Sequence, residues 1–372
     1  MKLTIAIPTF NGASRLASVV ARLQAQRPSG EMGADGWEIL VIDNRSSDNT
    51  AVVVKQLQAN WSTGAWKHIP FRYCFEPQPG LAHARQRAIA SANGDWVGFI
   101  DDDNWIEPGW VASALGFAAE HPELGAFGSQ IKPIYEVEPP ENFGQIEAFL
   151  AIRDHGDTLY PFNPDHLQLP PGAGLVVNRQ RWLAAVPAKL KLVGRVGSCF
   201  ISGEDSAALL YLHRAGHGIA YNPGMALHHA IPASRLERAY LLPLAYGIGM
   251  AMCQLRLINA QGPGYWTMSL RTFLGGLLRL LKQLWQDGRT LQTDFNAAFL
   301  FSFHLGWMLS PGLAVIPSVG PWLSYQHVCS VARRLGLPAL LRIWPLKSRL
   351  SLSSTVQSAE AQPASASSCE SL

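Results

Sequence analysis

Over the first 130 residues, short apolar runs alternate with longer segments of helical period. Residues 3–8 form a continuous apolar run, which predicts a buried strand. Leu16, Val19, Val20 and Leu23 then recur on one helical face, and Ser14 stands where it can cap that helix. Residues 38–43 (EILVID) predict a second strand and residues 50–57 a second helix. Residues 71–76 and 81–92 repeat the pair, and residues 96–100 (WVGFI) form a fourth strand. A helix over 108–120 follows, with its proline near the first turn. Uninterrupted apolar strands alternating with helices predict an α/β fold with a mainly parallel sheet, covered by helices on both faces. Ligands of such sheets bind beyond the carboxyl ends of the strands. Asp43, Glu76 and Asp101 to Asp103 all fall there.

The pattern loosens between 130 and 235. Pro139-Pro140, Pro170-Pro171 and the turn Gly172-Ala173-Gly174 interrupt it, before a helix over 205–214 and a short strand over 219–221. From about 240 the chain turns apolar. Residues 240–257 are apolar with glycines, and 273–285 read as an amphipathic helix with Arg279 and Lys282 interspersed. Residues 295–320 contain no Asp, Glu, Lys or Arg, which is long enough to span or re-enter a bilayer. Pro311, Pro317 and His304 interrupt this stretch, so a buried helical hairpin is the alternative. Arg333, Arg334, Arg342, Lys347 and Arg349 then suit either an anionic cytoplasmic leaflet or a solvated face. Three regions result: an α/β domain over 1–235, an apolar and amphipathic helical region over 236–348, and a disordered Ser/Ala-rich tail over 349–372.

Composition narrows the function. Charged residues are only 15% against 48% apolar, below the quarter usual for soluble domains, so some surface is expected to meet a membrane or partner. A net charge of +3 is too mild to indicate nucleic acid. The five cysteines lack CxxC spacing and are odd in number. That argues against a zinc site or a disulfide framework and suits a reducing compartment. The N-terminus has one positive charge and too short an apolar run for a signal peptide, so this part is expected in the cytoplasm.

Five groups of residues carry candidate chemistry. Asp101-Asp102-Asp103 at a strand end suit a hard divalent ion, Mg²⁺ or Mn²⁺, shared with substrate phosphates. A polar turn is the plain alternative. Asp43, together with Pro8, Thr9 and Asn11 on the first strand's end, can hold a nucleotide. Asp48 and Thr50 read more simply as turn and helix cap. Gly80 opens a helix whose N-terminus can face phosphate, with Arg85 and Arg87 as anion partners. Glu204-Asp205 can supply a general base, or merely an acid favoured by a helix dipole. His228-His229 can complete a metal site or touch a diphosphate, although a structural histidine is the commoner case.

In combination, the stretches TIAIPTFNGASRL, EILVIDNRSSDNT, GLAHARQRAIASANGDWVGFIDDDN and GEDSAALL resemble glycosyltransferase family 2, inverting enzymes with the GT-A fold, over residues 1–235. HHAIPASRLERAY is similar to bacterial, especially cyanobacterial, polysaccharide-assembly members. The resemblance implies a nucleotide site at Pro8, Thr9, Asn11 and Asp43 and a DxD element at Asp101 to Asp103. Asp103 would be the direct metal ligand, supported by Asp101, and Asp102 would lie nearer the ribose or the metal's water. It further implies a catalytic base at Asp205, with Glu204 shaping the acceptor site, and an acceptor border at Gly172, Ala173 and Gly174. His229, three residues before Pro232, would serve metal or phosphate. Asn44-Arg45, where many members carry a second acid and glycine, and Gln86, where many carry Asn, depart from the pattern.

The implied activity is transfer of a sugar from a nucleotide-sugar, UDP-sugar first, to a glycan or lipid-linked hydroxyl in polysaccharide biosynthesis, at the cytoplasmic face of the inner membrane. A metal-dependent nucleotidyltransferase would share the sheet and acidic site but needs a lysine-rich phosphate loop, and only Lys2 lies near the N-terminus. A non-catalytic nucleotide-sugar-binding scaffold has no use for both Asp103 and Asp205. A dinucleotide site is disfavoured because Gly172-Ala173-Gly174 lacks the third glycine.

Overall fold

Every residue of β1 (Leu3–Thr9) is buried, as a strand covered on both faces requires. The computed structural model describes residues 2–26, 36–197, 199–260, 264–315 and 323–334. The tail over 349–372, the basic residues Arg342, Lys347 and Arg349, and Pro317 lie outside them. In chain order β1 leads to α1 (Leu16–Gln24), β2 (Trp37–Asp43), α2 (Thr50–Thr63), β3 (Phe71–Phe75), α3 (Leu81–Ser91) and β4 (Trp96–Phe99). These match the alternation of the sequence. Ser14, however, makes no cap. Arg15 takes the N-cap position without a side-chain cap, and the Gly12 carbonyl accepts from Arg15 N at 2.9 Å and Leu16 N at 3.1 Å.

The second half of the sheet departs from the expectation of a simple parallel array. β5 (Asn104–Ile106), α4 (Trp110–Glu120), β6 (Leu124–Tyr135), β7 (Tyr160–Pro161), β8 (Val176–Asn178), α5 (Arg179–Ala185), α6 (Glu204–Arg214) and β9 (Gly218–Ile231) follow. The strand order is β3-β2-β1-β4-β8-β6-β9-β5, with β7 paired to β9. The pairs among β1 to β4 and the long β6–β9 pair are parallel; β8, β5 and β7 add antiparallel joints. The sheet is therefore mixed and mostly parallel. Because β1 lies between β2 and β4, the chain winds outward in opposite directions from it. A crevice opens at the carboxyl ends at such a point.

One face of the sheet packs α1, α2 and α4 through Leu16, Val19, Trp61 and Trp110. The other packs α3, α5 and α6 through Ala84, Ala88, Trp182 and Leu209. A third core belongs to α7 (Arg238–Asn259), α8 (Tyr265–Asp287) and α9 (Phe295–Val315), with α10 (Tyr325–Arg334) contributing Cys329. Helices α7 and α9 are each long and apolar enough to cross a membrane, and 72% and 50% of their most apolar stretches are buried in the protein. They cross at glycines. A Cβ on Gly306 would stand 2.2 Å from the Tyr246 carbonyl oxygen, and one on Gly249 2.2 Å from that of Phe303. Backbone cannot yield as a side chain would, so Gly306→Ala is expected to cost ~1–3 kcal/mol. Denaturant unfolding measures it; an unchanged midpoint would mean that the helices do not cross this closely.

Candidate active site

The three consecutive aspartates after β4 point to three different partners. Asp102 turns back onto β1, where Thr9 Oγ1 donates to it at 2.5 Å and Arg15 at 2.9 and 2.8 Å. Both its oxygens are engaged, so it braces the turn. Asp103 points the other way. Arg235 Nη2 lies 2.8 Å from Oδ2, His229 Nε2 3.6 Å from the same oxygen, and Asn104 donates to Oδ1 at 3.1 Å. Burial alone would raise its pKa; the charged Arg235 guanidinium opposes burial, and the carboxyl is held well below the usual carboxylate range. Asp101 faces Arg85 Nη2 at 3.8 Å. Its burial pushes the pKa up, Arg85 opposes, and Asp103 and Asp102 add to the rise.

His229 carries a further clue. Its Nδ1 is 2.9 Å from the Leu150 carbonyl, which only accepts, so the ring hydrogen belongs on Nδ1. Nε2 is 2.9 Å from Arg235 Nη1, which only donates. Nε2 therefore presents a lone pair, the form in which imidazole binds metals. No three His, Cys, Asp or Glu side chains among the described residues converge as a ready cage. Mg²⁺ needs none, since it takes one or two carboxylates and completes its shell with phosphate oxygens and water. Asp101 and Asp103 could supply those carboxylates, and the His229 lone pair, held here by Arg235, could join them with Mn²⁺ once Arg235 moves aside; Arg235 meanwhile places a positive charge between Asp103 and His229.

Across the crevice, α6 begins at Glu204 with Gly203 as its N-cap. Asp205 Oδ2 accepts from the Gly172 N–H at 2.8 Å and Oδ1 from that of Ser206 at 2.7 Å. Two backbone donors thus aim the carboxylate at the Gly172-Ala173 turn. Glu204 is buried, accepting from Gly203 N at 3.1 Å and facing Arg85 Nη1 at 3.3 Å. Burial, then the Asp205 charge, raises its pKa, and Arg85 opposes. Arg85 is 3% exposed, and its guanidinium stacks 5.5 Å from the Phe99 ring. It bridges Glu204 and Asp101 within the wall, where the sequence reading had it free for phosphate. A Cβ on Gly172 would stand 2.1 Å from Arg85 Nη2, so only glycine lets this loop lie on the guanidinium.

The nucleotide-side residues divide. Asp43 is buried, accepting from Ser46 N and Tyr73 OH, both at 2.9 Å. Asn11 Oδ1 accepts from Ser47 N at 2.8 Å, tying the β1 end to the β2–α2 loop. Asn44, the departure noted in the sequence, is a clamp: its Oδ1 accepts from Gly80 N at 2.8 Å and its Nδ2 donates to the Gln78 carbonyl at 2.6 Å. It holds Gly80, at φ +125°, as the N-cap of α3. A cleft of about 750 Å³ runs from Pro8, Thr9 and Gly80 past Asp101 to Asp103 and His229 to Gly172, Ala173, Glu204 and Asp205. Asp43, Asn11 and Gly174 do not line it. One face of α7 supplies its apolar wall, with Leu244, Ile248, Ala251 and Leu255. Arg15, Arg153, Arg195 and Arg235 also line it. Sequence reasoning singled out none of the four, although Arg15 and Arg235 lie inside stretches it quoted.

The model of the family Glycosyl transferase family 2 matches residues 4–166. The glucosyl-dolichyl phosphate glucuronosyltransferase of Haloferax volcanii is 22% identical over 65% of this chain and 79% of its own length. The succinoglycan biosynthesis protein ExoM of Rhizobium meliloti is 23% identical over 60% of this chain and 66% of its own length, just under two thirds. The mannosyltransferase PcManGT of Pyrobaculum calidifontis, solved with GDP-Man and Mn²⁺, superposes with a TM-score of 0.54 at 15% identity, over 85% of this chain and 87% of that one. At that identity the likeness concerns the fold.

Proposed function

We propose that this chain, whose residues 4–166 match the model of glycosyltransferase family 2, is a nucleotide-sugar-dependent enzyme that transfers a sugar to a hydroxyl acceptor by a single displacement with inversion. The observation that carries the reading is one buried guanidinium, Arg85, reaching both Asp101 at 3.8 Å and Glu204 at 3.3 Å. It locks the metal-side carboxylates and the base-bearing helix start into one rigid constellation. Asp205 is the base. It takes the proton of the acceptor hydroxyl while the new bond to the anomeric carbon forms and the bond to the diphosphate oxygen breaks. The nucleoside diphosphate leaves with that electron pair.

Asp101, Asp103 and His229 would hold Mg²⁺ or Mn²⁺, which when bound supplies charge against the diphosphate. Arg15, Arg153 and Arg235 add fixed positive charge on the same cleft. Pro8, Thr9 and Gly80 border the nucleotide, and Asp43, Asn11 and Asn44 hold the loops that present it. UDP-sugar is the first donor to try, with GDP- and dTDP-sugars beside it. The names of the Haloferax and Rhizobium relatives support a lipid-linked saccharide or growing glycan as acceptor, in polysaccharide assembly. The apolar α7 wall of the cleft supports the same class. The enzyme would work at the cytoplasmic face of the membrane.

A panel of nucleotide-sugars, assayed for binding and slow hydrolysis with Mn²⁺ and with chelator, tests the reading. One sugar-nucleotide is expected to bind and turn over only with metal. Silence across the whole panel with metal present would overturn it.

A further inference from the structure

Helix α8 is turned inside out. Its buried residues, Ser269, Thr272, Gly276, Leu280 and Gln283, are mostly small or polar. The contact with α9 is close: a Cβ on Gly276 would lie 2.6 Å from the Met308 backbone. The bulky apolar side chains point away from the protein, with Trp266 71%, Leu278 67% and Trp285 86% exposed. Leu270, Phe273 and Leu281 are exposed between them. At the helical repeat these residues form one stripe, roughly 140° wide, along the length of the helix. Single exposed leucines are ordinary, but a continuous row of this kind marks a covered surface.

The charges say what covers it. Arg271 and Lys282 are exposed and flank the stripe along the edge away from α9. The only acid in the helix is Asp287, its last residue. A tryptophan stands towards each end, the placement favoured where one side of a ring is apolar and the other wet. Arginine and lysine stems beside an apolar stripe let the charged heads reach lipid phosphates while the stripe sits among acyl chains.

We propose that α8 lies in the plane of an anionic lipid leaflet and is the element that holds the enzyme at its membrane. The proposal deepens the membrane location given above and does not depend on the identity of the sugar. The full-length protein is sedimented with neutral phosphatidylcholine vesicles and with vesicles containing phosphatidylglycerol. Wild type is expected to partition preferentially onto the anionic vesicles. A Trp266→Ser, Leu278→Ser, Trp285→Ser variant, all at exposed positions, is expected to bind ~10-fold or more weakly. Arg271→Gln with Lys282→Gln is expected to abolish the preference for anionic lipid. Circular dichroism and donor-sugar hydrolysis should be unchanged in both variants, which separates failure of the anchor from failure of the enzyme. Equal vesicle binding by the apolar variant would overturn the proposal while leaving the membrane location standing. Absence of wild-type binding, with a dimer in solution that Trp285→Ser dissolves, would overturn it in favour of a second copy of the chain on this face.

Discussion

Asp205→Asn is expected to lower sugar transfer by ~10²–10⁴-fold while leaving donor affinity within about twofold. The substitution keeps size and removes the basic oxygen. Asp205 accepts from two backbone N–H groups, Gly172 at 2.8 Å and Ser206 at 2.7 Å. The amide can accept through only one atom, so one N–H is set against an NH₂ group, at a stability cost of ~1 kcal/mol. The fall in kcat should be far larger than that cost explains. Single-turnover assays together with donor titrations separate the two. A variant that transfers sugar normally would remove Asp205 from the mechanism, and a product of retained configuration would remove the single displacement.

Arg85→Met is expected to have the largest effect on stability. It leaves buried Glu204, and partly exposed Asp101 beside it, without their shared cation. Breaking one side of such a pair costs ~3–5 kcal/mol. The deficit should depend on pH. Burial already raises the folded pKa of Glu204 above its usual 4.5, and Arg85 holds the rise in check. Between 4.5 and the raised value the folded form binds more protons than the unfolded one, so stability falls as pH rises through that window. Without Arg85 the window extends further upward. The melting temperature of the variant should therefore lie closer to wild type at about pH 5 than at about pH 8. An equal deficit at both would mean that removing Arg85 does not move the titration of Glu204.

These expectations rest on a site that the sequence disclosed unevenly. β1, β2 and β4 were legible because each is buried along its whole length and reads as a mostly apolar run, whereas β3, a partly exposed edge strand, was legible from its place in the alternation. β6 was not, since Pro133 interrupts it, and of β9 only residues 219–221 were read, since Pro223-Gly224 interrupts the rest. The structure absorbs the second interruption at a shift of register, where Ser129 pairs with Asn222 but Gln130 with Ala226. Proline is tolerated at such bulges. Among site residues, the acids at strand ends and helix starts announced themselves by position. Their partners did not. Asp102 could not be told from Asp103 along the chain, because what separates them is Arg15 on one side and Arg235 on the other. Asn44 looked like a missing acid and is a loop clamp. Arg85 was noticed for its charge, and only packing against Phe99 and Gly172 places it inside the wall. Long-range pairing of this kind leaves no local pattern to read.

Helix α7 has a consequence for how the molecule behaves as a machine. One of its faces is the apolar wall of the cleft, and another carries Gly249, locked against α9 at backbone contact. A rod gripped on both sides conveys displacement and has little slack to absorb it. One residue of sliding along α9 would carry Leu244 and Ile248 about 1.5 Å past Asp205, a large error for a reacting hydroxyl. A fragment ending at residue 235 would keep Asp101 to Asp103, Glu204 and Asp205 and lose the α7 wall of the cleft.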